Sequence, residues 1–182
     1  VTFGLEHGNE KFRRDVVKRD YTNDAAVRKI KIVEKLKIQF SVNNIIGFPD
    51  ETRELAFDTI ELNRRFNSDS SSCSILVPFH GTELHDLAVK KGYLDPNVIC
   101  AVSSSGESLL TMPQWDKKDQ LRLRDVFAMY IKFPKSRWEE IKEAETNEKL
   151  RLELREEFVK TFWSDSTAKI EDDIAEAAKG LF

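Results

Sequence analysis

Three short apolar stretches alternate with amphipathic ones along the first half of the chain. The apolar stretches cover residues 1–7, 38–48 and 73–79, and the second is rich in β-branched and aromatic side chains. They predict strands near residues 2–6, 39–46 and 74–79. Helical patterns fill both gaps between them, so the spacing predicts βαβ units and a parallel sheet.

Amphipathic patterns predict the helices of these units. Two helices, over residues 9–18 and 23–36, are predicted in the first gap. One helix is predicted in the second gap, and the polar residues 67–72 end it. A short helix that ends at Gly92 follows the third strand. The expected N-caps of the last three helices are Thr22, then Asp50 or Thr52, and Thr82.

The pattern changes after about residue 93. Residues 95–113 are irregular, with residues 103–106 as an expected loop. Successive helices are then predicted over residues 117–132, 136–146, 147–163 and 166–181. The chain is therefore divided into an α/β domain, residues 1–95, and a mainly helical extension, residues 96–182.

Composition narrows the class of protein. The charge sum of 29 Lys and Arg against 32 Asp and Glu is −3, which argues against an electrostatic nucleic-acid binder. No apolar stretch of about 18 residues is present, so no membrane span is expected. The two cysteines, Cys73 and Cys100, lie 27 residues apart, which fits neither a zinc motif nor a disulfide framework. A reducing, cytoplasmic location follows as an expectation.

The start of the chain is itself informative. No signal peptide is visible, and Val1 already lies at the beginning of a strand-like run. We therefore expect the chain to be a piece of a longer protein.

Polar residues gather where the predicted strands end, and functional groups of parallel α/β folds occupy such ends. Glu6, between two glycines, can accept hydrogen bonds from an ammonium or a ribose, or be a solvated turn residue. Residues 43–52 form either a loop that holds a planar or anionic ligand or a capped βα turn. Arg14 and Arg19 are basic groups beyond the first strand or exposed helix charges.

Histidine spacing gives little support for a metal site. His80 and His85 are five residues apart, which does not place them on one helical face, and no third ligand is near. Cys73 lies within a predicted strand and is expected to be a core thiol.

Three ordered motifs resemble the second half of the radical S-adenosylmethionine (SAM) enzyme domain. The motifs are GLEHGNEKFRRDVVKRDYT, VNNIIGFPDET and LVPFHGTELHDLAVKKGYL. The family pattern runs G-[IV]-E-S-G with a V-L-K-R-like segment, then N-x-I-x-G-[LF]-P-G-E-T, then P-x-P-G-T-x-L. The resemblance covers residues 1–95. A later stretch, LRLRDVFAMYIKFPKSRWEEIKEAE, is similar to the tail of members that carry a cobalamin-binding domain.

This resemblance implies a partial (β/α)6 TIM-like barrel, of which the chain supplies the last three strands. The parent enzyme would cleave SAM at a 4Fe–4S cluster and use the 5′-deoxyadenosyl radical on a small-molecule substrate. In cobalamin-dependent members the outcome is often methyl transfer or rearrangement. The CxxxCxxC cluster ligands belong to the N-terminal half of the barrel, which is the expected partner of this chain. Alone, the chain is expected to be inactive, with an edge strand and an apolar sheet face uncovered.

The resemblance also implies cofactor-binding residues. Glu6 matches a glutamate associated with the ribose and methionyl portion of SAM, and Arg19 matches a basic residue that approaches its carboxylate. The adenine and ribose positions correspond to Asn44, Ile45, Gly47, Val77 and Pro78.

The chain departs from the family pattern in four places. His7 replaces Ser, Asn43 replaces Gly, Asp50 replaces Gly, and His80 replaces Pro. His7 and His80 would face the cavity, which makes them candidates for contact with a particular substrate.

Two other functions stay open. A binding or interaction module would use the helices of residues 115–182 as its working surface. An ordinary TIM-barrel hydrolase or aldolase is less well supported, because the strand ends lack a suitable Lys or paired carboxylates. A CxxxCxxC motif encoded upstream of Val1 would decide for the radical SAM enzyme.

Overall fold

The computed structural model describes residues 1–100 and 108–163 of the chain. Three strands, β1 (Thr2–Glu6), β2 (Ser41–Ile46) and β3 (Ser70–Ile75), form one parallel sheet in the order β1-β2-β3. The prediction of a parallel α/β fold is therefore confirmed, and the closure of such a sheet into a barrel stays a prediction.

Seven α-helices accompany the sheet within the described residues. They are α1 (Glu10–Asp15), α2 (Asn23–Lys35), α3 (Arg53–Asn63), α4 (Glu83–Lys90), α5 (Lys117–Lys132), α6 (Trp138–Ala144) and α7 (Glu148–Phe162), with a 3-10 turn over Lys135–Arg137 before α6. The helix predicted over 9–18 is shorter than expected. The loop predicted at 103–106 and the helix predicted over 166–181 lie outside the described residues.

Threonine side chains cap the N-termini of three of these helices. The hydroxyls of Thr22, Thr52 and Thr82 accept the backbone N–H groups of Ala25, Leu55 and His85. These bonds satisfy N–H groups that a helix leaves unpaired at its start. The cap of α3 is thus Thr52 rather than Asp50.

The third strand begins earlier than predicted. Residues 70–72 were expected to close the preceding helix, whereas they pair with β2 from Ser70 onward. Two hydrogen bonds fix the residue before the strand, Asp69. Its carboxylate accepts a hydrogen bond from the N–H of Phe40, and its own N–H donates to the Phe40 carbonyl. The start of β3 is therefore set by backbone pairing, which serine residues can make. Val77 and Pro78, expected within the strand, therefore lie in the loop after it.

One face of the sheet is covered by helices. Alternate strand residues point to opposite faces, and Leu5, Val42 and Ile46 are buried against the helices. The largest core combines Ile46 of β2 and Phe127 of α5 with residues of α3, α6 and α7. The helices of residues 117–162 are thus packed onto the same sheet as α2 and α3.

The opposite face of the sheet, here called the open face, is polar. It carries Thr2, Gly4, Ser41, Asn43, Ile45, Ser70, Ser72 and Ser74. Asn43, Ser72 and Ser74 are exposed. The expectation of an apolar uncovered face is therefore wrong, because most of the apolar strand residues take helix-facing positions and, apart from Ile45, small polar residues or glycine take the others.

None of the helices within residues 1–100 and 108–163 is both long and apolar enough to cross a membrane.

Gly8 marks the closest approach of the β1–α1 loop to α3. A Cβ atom at this position would overlap the backbone carbonyl of Asp58 and the Cα atom of Thr59. The N–H of Gly8 also donates to the Thr59 hydroxyl over 2.8 Å. The absence of a side chain at Gly8 thus allows α3 to pack against the β1–α1 loop.

We expect Gly8→Ala to lower the free energy of unfolding by about 1–3 kcal/mol, the range for an overpacked core site. Chemical denaturation followed by circular dichroism measures it. Gly4→Ala is the matched control, because a Cβ there would meet the end of the flexible Glu6 side chain and not backbone. Equal stability of Gly8→Ala and the unsubstituted protein would contradict the packing argument.

Candidate functional site

Glu6 ends β1 in a strained backbone conformation. Its φ of 64° lies in the left-handed region, which is unfavourable for a glutamate. The pairing of β1 with β2 is irregular between Gly4 and Glu6. A Cβ atom on Gly4 would lie 2.5 Å from Oε1 of Glu6, so the carboxylate is folded over the glycine. Strain of this kind concentrates at functional sites.

Arg19 pairs with this carboxylate. Its Nη2 lies 3.3 Å from Oε1 of Glu6, and the arginine side chain is 51% exposed while that of Glu6 is 13% exposed. The structure therefore brings together two residues that the sequence placed 13 positions apart. Arg14, the other basic candidate, instead contacts its neighbour Asp15 at the surface.

His7 lies behind Glu6 and is fully buried. Its Nε2 is 3.1 Å from Oε1 of Glu51, and its Nδ1 accepts the backbone N–H of Asn9 over 3.1 Å. Because Nδ1 accepts, Nε2 carries the proton and donates to the carboxylate. The ring also contacts that of Phe12, at 4.5 Å between centroids. His7, proposed from its position as a substrate-side residue, thus has partners on all sides within the fold.

Glu51 joins the ends of β1 and β2. Its other oxygen, Oε2, accepts the N–H of Gly47 over 2.6 Å and that of Phe48 over 2.9 Å. The carboxylate is fully buried, so these donors replace the water that a charge requires. The turn that follows β2 is thereby tied to His7.

Asp50 occupies the position where the family pattern has glycine. Its φ of 66° is left-handed, which explains the glycine of the pattern. In this chain the Asp50 carboxylate lies 2.7 Å from Nζ of Lys91 and accepts the hydroxyl of Tyr93 over 3.0 Å. These contacts fasten the turn to the end of α4, and the bond to Asp50 raises the pKa of both Lys91 and Tyr93.

Asn44 faces the helices. Its side-chain amide is buried. The amide oxygen accepts a hydrogen bond from Nδ2 of Asn63 over 2.8 Å, and the amide nitrogen donates one to the carbonyl of Ser72 over 3.0 Å. Its neighbour Ile45 faces the other way. The side chain of Asn44 thus fixes the position of β2 relative to α3 and β3.

A groove of about 400 Å³ lies at the carboxyl end of β3. It is lined mainly by apolar atoms, and Ile45, Val77 and Pro78 meet there. The other lining residues are Ser74, Ile75, Leu76, Phe79, Thr82 and Leu84. Three of the residues that the family resemblance selected are therefore brought together, in a groove whose character suits a flat ring.

The rings of His80 and His85 are in contact, with their centroids 4.3 Å apart and their planes tilted by 36°. His80 is exposed, whereas His85 is 8% exposed and lies 3.3 Å from the carboxylate of its neighbour Asp86. No group of three or more His, Cys, Asp or Glu side chains that could hold a metal ion occurs in residues 1–100 and 108–163. Contact between the two rings is the interaction that the structure shows for this pair.

Both cysteine thiols are shifted toward their neutral form. Burial, with a further contribution from the charge of Glu51, raises the pKa of the Cys73 thiol well above its usual range. Burial also raises the pKa of the Cys100 thiol. Neither thiol is thus activated as a nucleophile.

Comparison with known proteins identifies a distant relative. The chain is 29% identical over 94 residues to a protein of Pyrococcus horikoshii named uncharacterized methyltransferase PH0819. The match covers 52% of this chain and 20% of the relative. The chain thus spans a small part of the relative's length. No family model matches the chain.

The buried pair of His7 and Glu51 was missed by reasoning from the sequence. The two residues are 44 positions apart, and no local pattern joins them. The available signal was the position of Glu51, directly before the helix α3 that Thr52 already caps. Because this carboxylate is not needed as a helix cap, it indicates a different interaction within the fold.

We expect Glu51→Gln to destabilise the protein strongly. The amide presents an N–H group either to the two backbone donors or to Nε2–H of His7, so at least one buried donor loses its acceptor. Lost charge-assisted hydrogen bonds cost about 1.5–3 kcal/mol each. The measurement is the free energy of unfolding.

Glu10→Gln provides the comparison for this substitution. Glu10 accepts a backbone N–H from Asn23 but is exposed to solvent. We expect it to change stability by less than about 1 kcal/mol. If both variants lost the same stability, burial of the Glu51 carboxylate would not be the cause.

Proposed function

We propose that this chain forms the SAM-binding part of a radical SAM enzyme related to methyltransferases. The observation that carries the proposal is the Glu6–Arg19 pair, held at the end of β1 by a strained residue. The ordered motifs of the sequence support the radical SAM reaction, and the methyltransferase name of the distant relative supports SAM as the ligand. The activity of the whole protein is part of the proposal.

The pair suits the amino-acid end of SAM. That end carries an ammonium and a carboxylate, which require an acceptor and a cation at neighbouring positions. Glu6 offers the first and Arg19 the second. A surface ion pair contributes little to stability, so a ligand of the same charge pattern can replace it at small cost.

The apolar groove suits the adenine of the same ligand. Ile45, Val77 and Pro78 offer apolar surface, and the side chains of Ser74 and Thr82 are the polar ones among the lining residues. Few polar groups in an otherwise apolar pocket give orientation as well as affinity. The groove lies at the same end of the sheet as Glu6, since all three strands run in one direction.

The chain offers residues for SAM and too few for an iron–sulfur cluster. It has two cysteines, Cys73 and Cys100, whereas the CxxxCxxC motif supplies three. Within residues 1–100 and 108–163 no group of three or more His, Cys, Asp or Glu side chains could hold a metal ion. Cluster and cobalamin sites, which the family resemblance implies, would belong to residues outside this chain.

Bound SAM supplies an activated methyl group and, in radical SAM enzymes, the source of the radical that starts the reaction. The chain's own part is to bind and orient it. Glu6 and Arg19 hold the charged end, the groove holds the ring, and Glu51 keeps the supporting turn in place through Gly47 and Phe48.

A titration of the isotope-labelled chain with SAM, followed by two-dimensional NMR, tests the site. We expect saturable changes concentrated at Glu6, Arg19, Ile45, Gly47 and Val77. Equal changes throughout the protein, or none at millimolar SAM, would overturn the assignment and favour the interaction module.

The genome tests the reaction class. The proposal requires a CxxxCxxC motif encoded about 90–110 residues upstream of Val1, counted as three βα units of a few tens of residues each. An upstream reading frame without this motif would exclude the radical SAM reaction and leave SAM binding to be judged by the titration.

We expect Glu6→Gln to weaken SAM binding by roughly 10- to 100-fold, because a charge-assisted hydrogen bond contributes about 1.5–3 kcal/mol. The dissociation constant is read from the same titration. Glu54→Gln serves as the control, since Glu54 is exposed at the start of α3. An unchanged dissociation constant for Glu6→Gln would make Glu6 a turn residue without a role in binding.

A further inference from the structure

Helix α2 presents aliphatic side chains to solvent. Ile32 and Leu36 lie one turn apart on the side of the helix opposite the buried residues Val27 and Ile30. Their exposed fractions are 58% and 65%, and Ile38, directly after the end of the helix, is 44% exposed. Three exposed aliphatic side chains therefore occur within residues 32–38.

Basic side chains accompany these aliphatic ones. Residues 28–38 contain five Lys or Arg and one acidic residue, Glu34, which gives this stretch a charge of +4 in a chain whose total is −3. The carboxylate of Glu34 accepts the backbone N–H of Asn67, so it is already bound within the fold. The exposed residues of the stretch, here called the basic ridge, are Arg28, Lys29, Lys31, Ile32, Lys35, Leu36, Lys37 and Ile38.

The lysines of the basic ridge have no counter-ions in the fold. Four of their side chains make no hydrogen bond or ion pair with any residue of the ranges 1–100 and 108–163, namely Lys29, Lys31, Lys35 and Lys37. Other exposed lysines do have such partners: Lys91 pairs with Asp50, and Lys135 pairs with Glu61. A local group of cations without counter-ions attracts an anionic partner.

Lys37 ends the basic ridge in a backbone conformation that favours glycine. Its φ is 54°, and the left-handed residue that follows a helix is usually Gly or Asn. The N–H of Ile38 donates to the carbonyl of Val33 over 3.2 Å, which closes the end of the helix around this residue. A lysine side chain is thus present where the backbone alone would favour glycine.

The combination of cations and aliphatic groups suits a flat anionic surface. Only the outer side of α2 is accessible, because Val27 and Ile30 pack in the core on the sheet, whereas a partner protein that holds a helix in a groove surrounds more of it. Contacts to nucleic-acid phosphates use cations and polar groups and gain nothing from exposed aliphatic ones. At a membrane surface both are used, since aliphatic side chains enter the boundary between headgroups and acyl chains while Lys and Arg contact anionic headgroups.

We propose that the basic ridge binds the surface of a membrane that contains anionic lipids. Ile32 and Leu36 enter the interface, and the neighbouring lysines contact the lipid phosphates. Helix α2 has 13 residues, which is about 20 Å, so it lies on the surface and does not cross a hydrocarbon core of about 30 Å. Its last turn lies at the amino end of the sheet, because α2 leads from the end of β1 to the start of β2. Glu6, at the carboxyl end, lies away from this contact.

Co-sedimentation of the full chain with vesicles tests the inference. We expect binding to vesicles of equal parts phosphatidylcholine and phosphatidylglycerol, and roughly 100-fold weaker binding to pure phosphatidylcholine, because each cation near an anionic surface contributes about fivefold. Raising the salt concentration from about 0.1 M to about 1 M shortens the Debye length from about 10 Å to about 3 Å and should also weaken binding. Equal binding to both kinds of vesicle, or binding to neither, would overturn the proposal.

Lys37→Gly should weaken binding to the anionic vesicles about fivefold, through loss of one cation. The fold is expected to be retained, since glycine suits the left-handed backbone at this position. Lys18→Gly is the matched control, because Lys18 is also exposed, also has a left-handed φ, of 59°, and lies before α2 and outside the basic ridge. Equal losses in the two variants would mean that overall charge, and not the ridge, attracts the chain to the vesicles.

Leu36→Ser distinguishes a lipid surface from other anionic partners. We expect vesicle binding to weaken about fivefold, because an aliphatic side chain no longer enters the interface. Leu152→Ser is the control, since Leu152 is 52% exposed on α7, outside the basic ridge, and should leave binding unchanged. A DNA duplex is the competing polyanion: tighter binding of the duplex than of the vesicles, weakened by Lys37→Gly but not by Leu36→Ser, would overturn the lipid assignment in favour of nucleic acid. Circular dichroism of each variant verifies that the fold is retained.

Discussion

The buried carboxylate of Glu51 is the interaction on which the site depends. An ionised group without water is stable in a protein only if hydrogen bonds surround it, and Glu51 receives them from Gly47, Phe48 and His7. Each donor comes from the end of a strand. The charge thus sets the relative position of the β1 and β2 ends, and a turn with two left-handed residues, Gly47 and Asp50, is held between them.

The same constraint accounts for the strain at Glu6, one of four described residues other than glycine with a positive φ. Glu6 directly precedes His7, whose ring is held by Glu51 on one side and by the Asn9 N–H on the other. With the residue after it fixed, the backbone at Glu6 accepts a left-handed φ, and the carboxylate turns over Gly4 toward Arg19. A buried charge therefore determines the direction of an accessible one.

Reasoning from the sequence succeeded where the interaction is local. The threonine caps and the parallel strand order follow from nearby residues and from spacing, and both are confirmed. It failed at Ser70, because the start of β3 depends on bonds between Asp69 and Phe40, which are 29 positions apart. It also missed the polarity of the open face, since β2 was predicted from its β-branched and aromatic side chains and these were not assigned to the two faces of the sheet.

The Glu6–Arg19 pair and the apolar groove offer charge and apolar surface to different parts of one ligand. The pair follows β1 and the groove follows β3, and both lie at the carboxyl end of the sheet because the three strands are parallel. Neighbouring strands lie about 4.8 Å apart, so β2 separates the two features by roughly 10 Å. A ligand with a zwitterion at one end and a flat ring at the other would therefore cross the end of β2, where Glu51 holds the backbone of Gly47 and Phe48 in place.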